Sequence, residues 1–596
     1  MKYGATPLAT GGVQFRVWAP LVSTLAVRVN GSAPLSLERA GEDFQLFAPD
    51  ARPGDSYALL LNEAQERPDP WSRSQPVGVH GHSEIVAPGS FAWTDSNWTG
   101  IPLREYIFYE LHVGVFTPEG TFDGVASKLA YLKALGVTAI ELMPVAQFPG
   151  ARNWGYDGVD LFAPHSAYGG PAGLKRLVDA AHAAGLAVVL DVVYNHLGPE
   201  GNYLAEFAPF FTGRYRTPWG SAINFDGPGS DGVRRFFIDN ALYWLTEYHI
   251  DALRMDAIHG IFDFSAHHFL AELRDCFHDQ ARRLGRDAFL IAESDLNDVR
   301  VIQPRQKGGH ALDAQWHDEF HHSIISALTG AKRGFLADFG TLAQIQKAIA
   351  EGFVYDGNYS PYRQRHFGSS SRDQPAERFV AFIQNHDQIA NTAQGDRLSQ
   401  LISRDQYRMA VLLLLCSPFL PLIFMGEEFA DSAPFLYFTS HGDASLAFAV
   451  SEGRRREFAD FAGAGEFHDP QSPETFERSK ITWSLVDQPD HREMRAFYRD
   501  LIALRRQWPC LGNCRKDLTQ VCVDEDGRWV RLERGDPSGS RAVLFCNFSD
   551  RPAEFPAPDG ECACWTGIPP LEANGTLTIQ GQSAVLYLFT PRPDAR

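Results

Sequence analysis

Carboxylates, histidines and an arginine stand at the ends of several short apolar runs in this chain, and their types and spacing set the chemistry to consider. The central stretch is Asp251-Ala-Leu-Arg254-Met-Asp256-Ala-Ile-His259, in which apolar Leu253 and Met255 alternate with Arg254 and Asp256. A long amphipathic pattern, Asp231 to Tyr248, precedes it. That order, helix then short buried strand, is half of a βα unit. Other apolar runs end on Asp191-Val-Val-Tyr-Asn-His196, on Ala292-Glu293-Ser-Asp295 and on Gln384-Asn-His386-Asp387-Gln388. Taken singly, each is as well explained by a solvated strand end or a structural ion pair. Taken together they are more specific. Burying three carboxylates side by side is costly unless each has a partner or a task. Two carboxyls flanking a bond, one raised in pKa as acid and one kept ionised, are the equipment for glycoside cleavage. An arginine beside Asp256 would hold it deprotonated and ready to attack.

Such groups converge only if the elements beneath them share one rim. Eight strand-like runs are read at Ile107 to Phe116, Thr138 to Val145, Ala187 to His196, Ala252 to Asp256, Phe289 to Glu293, Leu312 to Trp316, Phe379 to His386 and Pro421 to Met425. Helical patterns such as Val125 to Leu135, Gly173 to Ala184 and Phe264 to Leu284 lie between them. Eight βα repeats predict a (β/α)₈ barrel with insertions, which gathers the carboxyl ends of its strands at one face. An open doubly wound sheet is the alternative, weakened because no G-x-G-x-x-G follows any of these strands. Short alternating strands punctuated by Pro20, Asn30-Gly31, Pro53-Gly54 and Pro68 predict a β-sandwich over residues 1–90. The barrel is expected over 91–510, with a short insertion at about 197–230, and a second β-sandwich over 511–596. The fold class is thus α/β multidomain, a TIM barrel flanked by two β domains. Trp18 and Trp71 could stack on sugar rings but are expected to be packing residues of a small β core.

Composition narrows the partners. With 596 residues and 44% hydrophobic content the chain can bury several cores. Its 54 Lys and Arg against 73 acids give a net charge of −19, which argues against nucleic acid and anionic membranes. No secretion signal is read at the N-terminus, and the longest apolar run, Val411 to Phe424, is broken by Ser417, Pro418 and Pro421. A cytoplasmic enzyme of neutral substrates is expected. Eight cysteines without CxxC spacing, six of them between Cys510 and Cys564, read as reduced core thiols.

The segments DVVYNH, DALRMDAIH, AESD and QNHDQ resemble the signature regions of the α-amylase family of glycoside hydrolases. The resemblance implies Asp256 as nucleophile, Glu293 as general acid/base and Asp387 as the carboxylate that binds and distorts the sugar ring. It further implies that Arg254 orients Asp256, that His196 and His386 bind hydroxyls of that sugar, and that Tyr156 stacks beneath it. The stretch Leu312-Asp-Ala-Gln-Trp-His-Asp318-Glu319-Phe-His321-His322, with Arg254 to His259 and His386 to Asn391, resembles the malto-oligosyltrehalose trehalohydrolase branch. On that resemblance the enzyme releases trehalose and a maltodextrin from malto-oligosyltrehalose, and works beside a malto-oligosyltrehalose synthase without stable binding. His259, Asp318, Glu319, His321, His322, Gln388 and Asn391 would join the substrate-binding set. A glucan-branching transferase and a non-catalytic glucan-binding protein are the other readings. Asn195 matches a calcium-binding position of many amylases, but the stretch after it offers too few oxygens for Ca²⁺, so no metal or other cofactor is expected. The aromatics of that stretch, Tyr203, Phe210, Phe211, Tyr215 and Trp219, either wall the cleft or pack the loop.

Overall fold

The computed structural model describes residues 2–390, 392, 394–459 and 467–590. At its centre eight parallel strands close into a barrel: β1 (Phe108–Leu111), β2 (Ala139–Leu142), β3 (Ala187–Val192), β4 (Ala252–Met255), β5 (Phe289–Ala292), β6 (Ala314–Trp316), β7 (Phe379–Phe382) and β8 (Leu420–Phe424). All eight runs read from the sequence are present, β1 pairing with both β2 and β8. They were legible because strands covered on both faces read as near-continuous apolar runs. All but β5 are buried at every position, and β5 is buried at three of its four.

The outer helices include α1 (Gly170–Ala183), α2 (Ser230–Glu247), α3 (Phe269–Leu284), α4 (Asp318–Thr329), α5 (Arg404–Cys416) and α6 (Pro489–Gln507). Ser403 opens α5 with a capping box to Gln406, which satisfies two orphan N–H groups at once. Gly136, Gly285 and Gly330 end their helices in the left-handed conformation. Among the described residues no helix is long and apolar enough to cross a membrane.

Residues 4–84 form two antiparallel sheets, and residues 519–589 two more, of five and three strands. Trp71 is 1% exposed and packs between Tyr3 and Phe236 of α2 (ring centroids 4.8 and 5.0 Å), and Trp18 lies 5.6 Å from Phe210. Both tryptophans therefore weld the N-terminal sheets to the barrel wall and neither reaches the cleft. All eight cysteines are free. Cys522 departs from the expected core thiols: strand Thr519–Asp524 alternates, and its outward positions are Gln520 and Cys522.

Candidate active site

The strand register decides which polar groups meet. Asp191 of β3 is the direct neighbour of Arg254 of β4, and Asp256 follows two positions later on the same face. Arg254 is fully buried. Its Nη1 donates to Asp191 Oδ2 (2.7 Å) and Asp256 Oδ1 (3.0 Å), its Nη2 lies 3.0 Å from Glu293 Oε2, and its guanidinium sits 4.2 Å over the Trp316 ring. One cation is thus shared by three carboxylates from β3, β4 and β5. Directly after Asp256 the chain turns sharply, with Ala257 at φ 37°. The Ala257 N–H donates to Glu293 Oε2 at 2.7 Å, so a strained turn and the second carboxylate hold each other in place.

This sharing widens one expectation: Arg254 lies against Glu293 as well as Asp256. Burial, then repulsion by Glu293, pushes Asp256 well above the usual carboxylate range, with Arg254 opposing. Burial also acts on Glu293, but the Arg254 charge and the Ala257 N–H outweigh it and hold Glu293 below its usual value. Two carboxyls this tightly linked titrate as one unit, and Arg254 serves both.

Beneath the cleft lies a second group. Tyr156 donates its hydroxyl to Asp191 Oδ2 (2.7 Å) and stands 2.8 Å from His386 Nε2. Its position depends on Gly155, at φ +107°, where an added Cβ would lie 2.1 Å from the Pro144 carbonyl oxygen. On the far side of His386, Glu110 of β1 accepts both the backbone N–H and the Nδ1 proton. Tyr156 and His386 have their rings 5.4 Å apart and nearly parallel.

A cleft of about 520 Å³ opens above these groups. Asp256, Glu293, Asp387, Tyr156, His196, His259, Asp318, Glu319, His322, His386 and Gln388 all line it, while Arg254 lies buried beneath. Burial first, then repulsion by Glu293, raises Asp387, with the His386 charge opposing. The run after β6 divides because α4 begins at once, and a helical period sends consecutive residues to different sides. Asp318 and His322, four apart, face the cleft. Glu319 reaches the cleft wall but its Oε2 accepts the Val354 and Tyr355 N–H groups (2.6 and 3.0 Å) and so anchors a loop. His321 is turned away: its Nδ1 bonds the Ile383 carbonyl at 2.7 Å, and it is not among the cleft-lining residues. Asn391 lies outside the described residues.

The aromatics after β3 divide as well. Trp219 walls the cleft, parallel to His196 (5.5 Å) and edge-on to His259 (5.7 Å). Tyr215 stacks on Phe262, Phe210 packs under Trp18, and Tyr203 bonds His80. Sequence reading missed Phe335, Tyr355, Tyr362 and Arg363, which also line the cleft. Arg363 reaches it from the hairpin Asp356–Ser360/Arg365–Gly368 and pairs with Asp295 at 2.7 Å. Those strands are largely exposed and lack apolar alternation, so only the turn residues could have marked them.

The donor set does not fit a calcium ion. Asn195 Oδ1 is turned to His196 Nδ1 at 3.0 Å, and among the described residues no three His, Cys, Asp or Glu side chains are grouped to hold a metal. Exhaustive chelation is therefore expected to leave activity and Tm unchanged. A bound ion at a thousandfold excess over its Kd would add about 4 kcal/mol, so a Tm lower by several degrees after chelation would overturn this.

Residues 85–213 match the alpha-amylase catalytic domain family. A malto-oligosyltrehalose trehalohydrolase of Saccharolobus solfataricus is 46% identical over 88% of this chain and 89% of its own length. Its namesake in Mycobacterium tuberculosis is 40% identical over 97% and 100%. A crystal structure from Salmonella typhimurium, described as an alpha amylase, superposes with TM-score 0.91 at 41% identity, covering 99% of both chains. By contrast, a 1,4-alpha-glucan branching enzyme of Burkholderia vietnamiensis is 26% identical over 92% of this chain and 74% of its own.

Proposed function

The chain belongs to the malto-oligosyltrehalose trehalohydrolases of the α-amylase family, and from that membership we propose that it hydrolyses the α-1,4 bond next to a terminal trehalose, releasing trehalose and a maltodextrin. The observation that carries the chemistry is Arg254, which binds Asp256 and Glu293 from below at the floor of one cleft. Two carboxyls held around one scissile bond serve a retaining double displacement. Asp256 attacks the anomeric carbon while Glu293 protonates the leaving oxygen. Trehalose departs, and Glu293 then takes a proton from water, which releases the maltodextrin from Asp256. Asp387, His196 and His386 bind hydroxyls of the sugar that is attacked. An enzyme that builds the terminal α,α-1,1 linkage would supply the substrate in solution.

Asp318 is the side chain proposed to read trehalose. It lies at the first turn of α4 on the cleft wall, and no protein hydrogen bond to its carboxylate is found among the described residues. Burial and repulsion by Glu293, Asp387 and Asp295 push it well above its usual value, so a sugar hydroxyl would satisfy it. Asp318→Ala is expected to lower kcat/KM for a trehalose-capped maltodextrin ~10-fold or more, and to cost plain maltodextrin much less. The readout is the ratio of the two. Equal losses on both substrates would remove Asp318 from recognition. Glu319→Ala should act differently, loosening the 354–355 loop and lowering Tm.

A further inference from the structure

Glu110 has no part in the scheme above, yet it is one of the most completely buried charged groups in the barrel, 1% exposed. It occupies the middle of β1, beside Glu141 of β2 in the register, and accepts two N–H groups from His386. Hydrogen-bond direction then propagates along the floor. Because Glu110 takes the Nδ1 proton and Tyr156 gives its own proton to Asp191, the 2.8 Å contact between His386 Nε2 and the Tyr156 oxygen has a donor only if Nε2 also carries a proton. The ring is then doubly protonated.

We propose that Glu110 is a positioning residue for the hydrolysis: it holds His386 as an imidazolium and so orients one directed chain of hydrogen bonds, His386 to Tyr156 to Asp191, whose last member fixes the Arg254 guanidinium that grips the nucleophile. This rests on the hydrolytic reading of the cleft. The groups facing His386 are Glu110 from β1, His112 just beyond it, Tyr156 and Trp154 from the loop after β2, and Asp191 from β3. Arg254 and Asp256 from β4, Glu293 from β5, Trp316 from β6 and Asp387 on its own short helix complete the set. Burial opposes the charge on His386, and Glu110 overcomes it, so the ring titrates above its ordinary value. A group raised in this way keeps its proton below that value and loses it as pH rises. The contacts on the two ring nitrogens, Glu110 at Nδ1 and the Tyr156 oxygen at Nε2, make both N–H groups donors. Nδ1–H stays committed to Glu110, and Nε2–H stands where the Tyr156 oxygen and a sugar hydroxyl can compete for it. Glu141 cannot substitute. It is buried beside Glu110, burial and that neighbour's repulsion push it well above the carboxylate range, and it makes no hydrogen bond to His386 among the described residues.

The test uses Glu110→Gln, which preserves shape and one acceptor oxygen but removes the charge, and whichever α-glucan the wild type turns over. Loss of a charged partner lowers the pKa of its neighbour by about one unit or more. The alkaline limb of kcat should move that far toward acid, with kcat about tenfold lower at pH values between the two limbs. KM should change less than about twofold, and activity should recover as pH is lowered. Glu110→Asp should keep the limb closer to the wild-type position. A uniform loss of kcat at all pH values, or an unmoved limb, would overturn the assignment. Independently of any substrate, ¹⁵N spectra of the histidine-labelled wild type at pH 7, with the His386 signal identified by its absence in His386→Gln, should show both ring nitrogens protonated. A neutral His386 ring would overturn the proposal even if Glu110→Gln does not fold. The trehalose reading fails separately, by the products formed.

Discussion

Asp256→Ala is expected to fold with an unchanged Tm and to lose ~10⁴-fold or more of kcat, because removal of a nucleophile closes the whole covalent route. The structure explains why stability should survive. Arg254 keeps Asp191 at 2.7 Å and Glu293 at 3.0 Å after Asp256 is gone, so no buried charge is stranded. Asp256 is moreover destabilised by its surroundings, raised by burial and by Glu293. The measurement pairs a thermal melt with a turnover assay. A folded variant that retains a tenth of the activity would show that Asp256 is not the attacking group.

Glu293→Gln is expected to lose ~10²–10⁴-fold on the natural α-1,4 bond, the range for loss of a general acid. The loss should shrink to about tenfold on substrates whose leaving group, a fluoride or an activated phenol, departs without a proton. The Ala257 N–H can still be met by the amide oxygen of glutamine. Arg254 Nη2 lies 3.0 Å from that same oxygen, Oε2, so one amide oxygen placed there serves both contacts. Little loss of stability at the strained Ala257 turn is therefore expected alongside the kinetic change. Equal losses on both kinds of substrate would assign Glu293 to the support of that turn alone.

Much of the barrel could be read from the chain because its strands are covered on both faces and bounded by turn signals, as in Ala187-Val-Val-Leu-Asp-Val192. The strand ends carried the working residues for the same reason: polar groups at the carboxyl end of an apolar run have nowhere to go but the rim. What escaped lay where neighbours in sequence part company in space. Asp318 to His322 read as one polar mouth, but α4 starts at Asp318 and turns His321 toward Ile383. Tyr362 and Arg363 sit at an exposed hairpin tip whose link to the cleft depends on the Asp295 pair, a contact that no local pattern announces. Glu110 was hidden differently. In Phe108-Tyr-Glu-Leu111 it looks like a routine polar position of a strand, and only the complete burial of that run marks it as costly and in need of a partner. Likewise the sharing of Arg254 among three carboxylates follows from β3–β4 register and from the Ala257 turn, neither of which the sequence spells out.

The most direct test of the central claim is to incubate the protein with a trehalose-capped maltodextrin and, separately, with maltohexaose, and to resolve the products. Free trehalose and a maltodextrin shortened by that unit, formed much faster than any product from maltohexaose, is the predicted result. Formation of α-1,6 branch points, or cleavage of both substrates at equal rates with no trehalose released, would contradict it.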